Sequence, residues 1–223
     1  MILQIARSNF IKAWCVLLIS GSTAMAQLPV EVFGGQKKST LDIMFFRFIK
    51  KNDQTNSPWL YFHRNRATAD YRMTTTNYLP VLSSTEAISW NHQSLKGIAP
   101  VFTLQFLQRG LFPKAGVQYA LTKEKITVFT WLVYGIKNNT DPDYFLLLRY
   151  SPKLTQTTKL FTQLELVNSF AFKKERQYNF IQRARIGITK RKWNLGAGID
   201  LQQTGRTQFE KTANPGLFIR HEF

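Results

Sequence analysis

The sequence predicts an all-β chain: an antiparallel up-and-down transmembrane β-barrel of twelve strands, with ten as the alternative, preceded by a signal peptide. Three observations lead there. The first 26 residues have the make-up of an export leader, period-2 alternation dominates the rest of the chain, and turn-forming residues recur at the spacing of a meander.

The leader, residues 1–26, has Arg7 and Lys12 in a basic front region, an apolar run from Ala13 to Ser20 and the small-x-small site Ala24-Met25-Ala26 before Gln27. The run is well short of the roughly 20 residues that a membrane helix needs. This leaves 27–223 as one barrel domain. The whole chain has 30 Lys+Arg against 13 Asp+Glu, and the leader removes two basic and no acidic residues, so the exported part is strongly basic. Cys15, the only cysteine, lies in the leader, which excludes disulfides, thiol chemistry and cysteine metal ligands from the mature protein. No window after Gln27 is apolar for long enough to be a transmembrane helix. An exported, aromatic-rich chain is then either a soluble periplasmic β-protein or a membrane barrel.

The first element is Val30 to Gly34, ended by a turn at Gly34-Gly35, and it brings the strand number to the even value that closed bacterial barrels require. Leu41 to Lys51 comes next, with Met44, Phe46 and Phe48 facing away from Ile43 and Phe45. The clearest alternation is Trp59 to Met73. Tyr61, Ala67, Ala69, Tyr71 and Met73 lie on one side and Arg64, Arg66, Thr68, Asp70 and Arg72 on the other. In a soluble sandwich the charged side would be wetted outside, whereas in a barrel it faces the lumen and the greasy side faces lipid.

Downstream, Ile98, Pro100, Phe102, Leu104 and Phe106 oppose Ala99, Thr103 and Gln105, and Ala115, Val117, Tyr119 and Leu121 oppose Lys114, Gly116, Gln118 and Ala120. Ile126 to Ile136 puts Phe129 and Trp131 on the interior side. This is aromatic filler or, alternatively, a path for a hydrophobic ligand. Tyr178 to Thr189 and Trp193 to Gln202 form a hairpin about Arg191-Lys192, with Arg183, Arg185 and Asp200 inward. Turn residues at Asn52 to Asn56, Thr74 to Asn77, His92 to Ser94, Gly110 to Pro113, Lys123 to Lys125, Asn138 to Asp143, Thr155 to Thr158, Lys173 to Gln177 and Gln203 to Asn214 separate eleven strands from Leu41 onward.

The chain ends Pro215-Gly-Leu-Phe-Ile-Arg-His-Glu-Phe223, with Leu217 and Ile219 in step with the terminal Phe223 and Arg220 and Glu222 on the opposite face. Here the sequence resembles bacterial outer-membrane barrels. The resemblance implies the cell outer membrane as location, outer-membrane lipid as surroundings, and recognition of Phe223 by the barrel-insertion machinery. His221 departs from the pattern by placing an imidazole on the lipid side. Tyr61-Phe62-His63-Arg64-Asn65-Arg66-Ala67 with Pro113-Lys114-Ala115-Gly116 looks like small barrels of Bacteroidota, a resemblance that carries no activity with it.

The candidate site is a basic inner wall: Arg64, Arg66, Arg72, Lys114, Arg149, Lys153, Arg183, Arg185 and Arg220, with Asp70, Glu86, Glu165, Asp200 and Glu222 as acidic partners. In a confined lumen such an excess attracts anions, because guanidinium groups offer paired donors to carboxylate or phosphate. The expected function is a narrow channel for small anionic solutes. The alternative is a closed structural or adhesive barrel whose charges pair across the lumen, with long loops such as Gln203 to Asn214 touching a partner. Basic loops at Lys50-Lys51, Lys173 to Arg176 and Arg191-Lys192 are solvated or meet anionic headgroups.

An enzyme reading must use His63, His92 or His221. Ser89-Trp90-Asn91-His92 has the residue types of a lipid hydrolase, but Ser89 and His92 are an odd number apart and point to opposite faces of a strand. Gly-x-Ser-x-Gly, His-Glu-x-x-His and phosphate-loop motifs are missing, no two histidines have ligand spacing, and no cofactor is expected. Aromatics interleaved with arginine from Tyr61 to Tyr71 would suit nucleic acid, but export argues against it.

Overall fold

The computed structural model describes residues 28–72, 80–108, 110–136 and 141–223. The leader and its cleavage site, the turn Thr74 to Asn77 and the start of the turn Asn138 to Asp143 lie outside the described residues. Twelve strands run in chain order: β1 Pro29–Gly35, β2 Lys38–Lys50, β3 Asn56–Asp70, β4 Val81–Trp90, β5 Ile98–Leu107, β6 Gly110–Thr122, β7 Ile126–Gly135, β8 Asp143–Tyr150, β9 Thr158–Ser169, β10 Tyr178–Lys190, β11 Trp193–Gly205 and β12 Phe209–Glu222. Each pairs antiparallel with its sequence neighbours, and β12 closes the ring on β1 through Pro29↔Glu222 to Gly35↔Gly216. Closure leaves no sheet edge with unpaired backbone groups, a condition for crossing hydrocarbon.

Burial is inverted relative to a water-soluble protein. On the outer wall Leu217 is 71% exposed and Ile186 58%, while on the inner wall Glu165 is 1% exposed and Arg220 3%. Side chains directly opposite in a sheet share a face, so the register carries this division around the ring. Ile98, Phe102 and Leu104 of β5 face out with Tyr119, Ala115 and Pro113 of β6, and Thr103 faces in with Lys114. A two-sheet sandwich would bury the greasy stripes against each other, whereas here they form the outside of a closed cylinder. Aromatic rings collect at the ends of this wall. Trp59 pairs with Trp90 at one end, where the Trp193, His221 and Phe223 rings also stack, and Tyr134 meets Phe172 at the other.

Three turns differ from expectation, the first because Gly110 to Pro113 lies wholly in β6, paired with Leu107 to Leu104 of β5. The β1–β2 turn is Gln36-Lys37, with Gly34 and Gly35 still in the strand, and β11 and β12 pair as far as Gly205↔Phe209. Gln203 to Asn214 is therefore strand with a short turn at 206–208 and not a long loop, because backbone pairing of Gln203, Thr204 and Gly205 with Lys211, Glu210 and Phe209 satisfies groups that a loop would leave to water. Arg191-Lys192 does form a two-residue hairpin turn, with Arg191 at φ 56°.

A ring of twelve strands is wider than the roughly eight whose side chains fill the interior unaided. Here large rings reach across. Phe46 of β2 and Phe62 of β3 stack on Phe129 of β7, at 4.6 and 5.2 Å between centroids, and Phe62 meets Phe145 of β8 at 5.8 Å. With Met44, Leu60, Val101, Trp131, Val133 and Leu147 they form an apolar plug in the half of the lumen bounded by β2 to β8. Phe129 and Trp131 are thus interior filler.

Candidate functional site

Next to this plug the inner wall carries a belt of charges built by register. One row across the inner wall runs Arg66↔Asp42↔Glu31↔Arg220↔Asn194 over β3, β2, β1, β12 and β11. A second runs Glu165↔Arg183↔Asp200↔Asn214 over β9 to β12. Adjacent opposite charges in a row attract and adjacent like charges repel. The Asp42↔Glu31 neighbours are relieved by arginines on both sides: Arg66 donates to Asp42 at 2.6 Å, and Arg185 donates to Glu31 at 3.1 Å.

Arg64 joins the two rows. Its Nε and Nη2 donate to Asp42 at 3.0 and 2.7 Å, and its Nη1 and Nη2 donate to Glu165 at 2.9 and 3.1 Å. Glu165 also accepts from Arg183, and Arg185 reaches Asp200 at 2.7 Å. Such doubly forked guanidinium pairing is the strong form of ion pair, and with both partners buried neither can be removed cheaply. Arg185 additionally lies over the Phe33 ring at 4.0 Å. Its side chain needs the glycine opposite it, because a Cβ on Gly198 would stand 2.6 Å from Arg185 Cδ. A further knot sits where β6 begins: Lys114 Nζ donates to Asp143 at 2.6 Å, and Asp143 also accepts from Gln105 and Ser169.

The structure therefore brings Arg64, Arg66, Arg183, Arg185, Glu165 and Asp200 into one network, and puts Lys114, Arg149 and Arg220 elsewhere on the same inner wall. Asp70 faces inward at the end of β3 and pairs with Lys38 at 3.8 Å, and Glu222 lies at the end of β12, 3.9 Å from Arg220. Three assignments are corrected. Lys153 is in the 151–157 connection, exposed and paired with Glu124 at 2.8 Å, because β8 stops at Tyr150. Arg72 lies beyond the last residue of β3 and is exposed, its backbone N–H capped by Asp70.

Glu86 is on the outer wall, opposite His63 in register. There it accepts from the Tyr61 hydroxyl at 2.5 Å and Ser84 at 3.0 Å and lies 3.0 Å from His63 Nδ1, whose ring is in turn 3.0 Å from Asn65. A carboxyl on a greasy outer wall is costly unless it is hydrogen-bonded, which explains the cluster.

Sequence reading missed Glu31, Asp42 and Asp143. Asp42 lies in the stretch where both phases look apolar, but its parity with Met44 and Phe46 would have placed it inside. The inner wall is accordingly closer to charge balance than the nine-to-five excess anticipated. His92 bonds to Ser94 at 2.7 Å in the β4–β5 connection, while Ser89 is buried and accepts from Asn91. The Ser89 and His92 side chains serve different partners, and no hydrolytic pair forms.

No protein-family model and no curated protein sequence matches the chain. Among solved structures it is similar to the NanC porin, with a TM-score of 0.51 at 8% identity over 88% of this chain and 98% of that one. It is also similar to the KdgM porin, with a TM-score of 0.49 at 8% identity over 88% and 99%. The likeness to the NanC porin is one of fold, which in this chain is a closed barrel of twelve antiparallel strands.

Proposed function

We propose that this protein is a porin-type barrel of the outer membrane whose lumen is closed at rest by the Arg64 crossbar and passes small anions when that crossbar is broken. The observation that carries the reading is the pairing of Arg64 with Asp42 on its own side and with Glu165 on the far wall. An ion-paired crossbar, unlike a covalent or purely apolar plug, leaves guanidinium groups in the passage once a carboxylate lets go. Arg64, Arg66, Arg183 and Arg185 would then line it and favour anions. Outer-membrane lipid would cover the greasy wall, and the final strand ending at Phe223 would be the segment that the barrel-insertion machinery recognises.

The test is planar-bilayer recording of the purified barrel. Glu165→Gln, which frees Arg64 and Arg183, should give larger and anion-selective currents than the wild type. Changing Arg64, Arg66, Arg183 and Arg185 together to Gln should move the reversal potential toward cations. Silence from both wild type and Glu165→Gln would sink the channel. The second reading, a permanently closed structural barrel, is favoured by the Phe46, Phe62, Phe129 and Phe145 rings meeting across the lumen, and that silent result would select it.

A further inference from the structure

Two arginines in the lumen, Arg220 buried and Arg149 half-buried, converge on a neutral oxygen. Arg149 of β8 donates to Gln163 Oε1 from Nε at 3.2 Å and from Nη2 at 2.8 Å, and Arg220 of β12 donates to the same oxygen from Nη1 at 3.2 Å. Both guanidinium groups lie over one ring, Phe161, at 5.6 and 5.7 Å. Among the described residues Arg149 has no carboxylate within ion-pair distance. Arg220 has only Glu31 at 4.0 Å and Glu222 at 3.9 Å, both beyond hydrogen-bond reach. Arg220 Nε, on a side chain 4% exposed, is a buried donor with no acceptor. Elsewhere on the inner wall Arg64, Arg66, Arg183 and Arg185 hold carboxylates directly, so this pair departs from the rule of the belt. Two like charges sharing one amide oxygen and leaving a donor idle form a receptor lacking its acceptor.

The pair also has a neighbour, Glu222, at an opening of the barrel. A polar cavity of about 300 Å³ opens at the end of the barrel where β12 finishes, lined by Lys153, Lys159, Thr189, Arg191 and Glu222 among others. Glu222 belongs to both places, since it lines the cavity and is the carboxylate nearest Arg220 Nε. Lys159 and Arg191 at the mouth concentrate anions there, Lys153 being held by Glu124, and Glu222 is the group that an entering anion must displace.

We infer that Arg149, Arg220 and Gln163 form a binding site for a small oxyanion, a phosphate or a carboxylate, entered from this basic vestibule. The inference deepens the proposed anion passage and rests on it for the ligand's entry. The chemistry is the planar fork of each guanidinium, which offers paired N–H donors to two oxygens of one anion, with Phe161 fixing both forks in one plane of approach.

The test is calorimetric titration of the folded, full-length mature barrel in a maltoside detergent with inorganic phosphate, and separately with acetate. Saturable binding of phosphate, with or without acetate, is expected; no saturable heat with either overturns the site. Arg149→Gln and Arg220→Gln should each weaken phosphate binding at least about tenfold, the loss of a charge-assisted hydrogen bond. Glu222→Gln should strengthen it by removing the competing carboxylate. Because a lost arginine can also loosen the barrel, Gln163→Glu supplies the control. It places a carboxylate between both guanidinium groups, should keep the heat-modifiable folded band, and should abolish phosphate binding; binding equal to wild type in this variant overturns the site. Phosphate binding without bilayer current would remove the passage and leave the site, whereas anion current without binding would remove the site and leave the passage.

Discussion

Arg64 on β3 and Glu165 on β9 stand on opposite walls of the barrel, half the ring apart in the strand order, yet their side chains meet at 2.9 Å. Glu165 is 1% exposed and holds Arg183 as well. Without Arg64 each of these buried carboxylates keeps one arginine, Arg66 on Asp42 and Arg183 on Glu165, but each loses two charge-assisted hydrogen bonds. Arg64→Met should therefore destabilise the barrel by about 3 kcal/mol or more, and Arg64→Lys, which keeps a cation between the two carboxylates, by less. Urea unfolding in lipid vesicles measures both. An Arg64→Met barrel as stable as the wild type would show that the crossbar does not hold the walls together.

Glycine placement gives a paired test of inner and outer wall. Gly198 faces Arg185, where a Cβ has no room, while Gly34 faces out with nothing within 4 Å, in a shallow groove lined by Val32, Leu195, Ala197, Leu217 and Ile219. Gly198→Val should cost about 1–3 kcal/mol or more by overpacking, and Gly34→Val should be close to neutral. Equal costs for the two substitutions would contradict the assignment of faces.

The greasy exterior makes a depth-dependent prediction. Val117 lies near the middle of β6 and is 53% exposed on the outer wall. Val117→Arg should destabilise the membrane-inserted barrel by about 2–4 kcal/mol, whereas Val117→Leu should not. Tolerance of arginine there would mean that something other than hydrocarbon covers this wall.

Glu86 offers a check on the outer-wall cluster. Glu86→Leu leaves the donors of Tyr61, Ser84 and His63 without their acceptor and should cost about 1–3 kcal/mol, with no change in ion selectivity. A shifted reversal potential in this variant would put Glu86 in the lumen after all.

The Glu124 and Lys153 pair lies in the connections at one barrel end. Its hydrogen bond and charge contact hold the Glu124 carboxyl below its ordinary 4.5 and the Lys153 ammonium above its ordinary 10.5. A depressed carboxyl stabilises the fold above its unfolded value and loses that as pH falls through the folded one. A raised ammonium stabilises below its unfolded value and loses that as pH rises through the folded one. The pair thus contributes between those limits, weakly and in a salt-dependent way because both groups are exposed. NMR titration should find the Glu124 midpoint below 4.5 and find it returning to that value in Lys153→Gln; an unchanged midpoint would show that the contact is not formed in solution.

Alternation was enough to read an all-β chain and the inward phase of Arg64, Arg66, Arg183, Arg185 and Asp200, because parity along a strand is a local property that pleating converts directly into a choice of face. The count of twelve also needed the turn spacing and the even strand number that closed barrels require. Lys153 and Glu86 escaped that logic for local reasons, one standing just past a strand end and the other on the outer face of β4, in step with Ile88 and Trp90. What local sequence could not contain was which charges meet. The contacts of Arg64 with Glu165 and of Arg220 with Gln163 join strands far apart in the chain, and only barrel closure and the register of each pair bring them within hydrogen-bond distance.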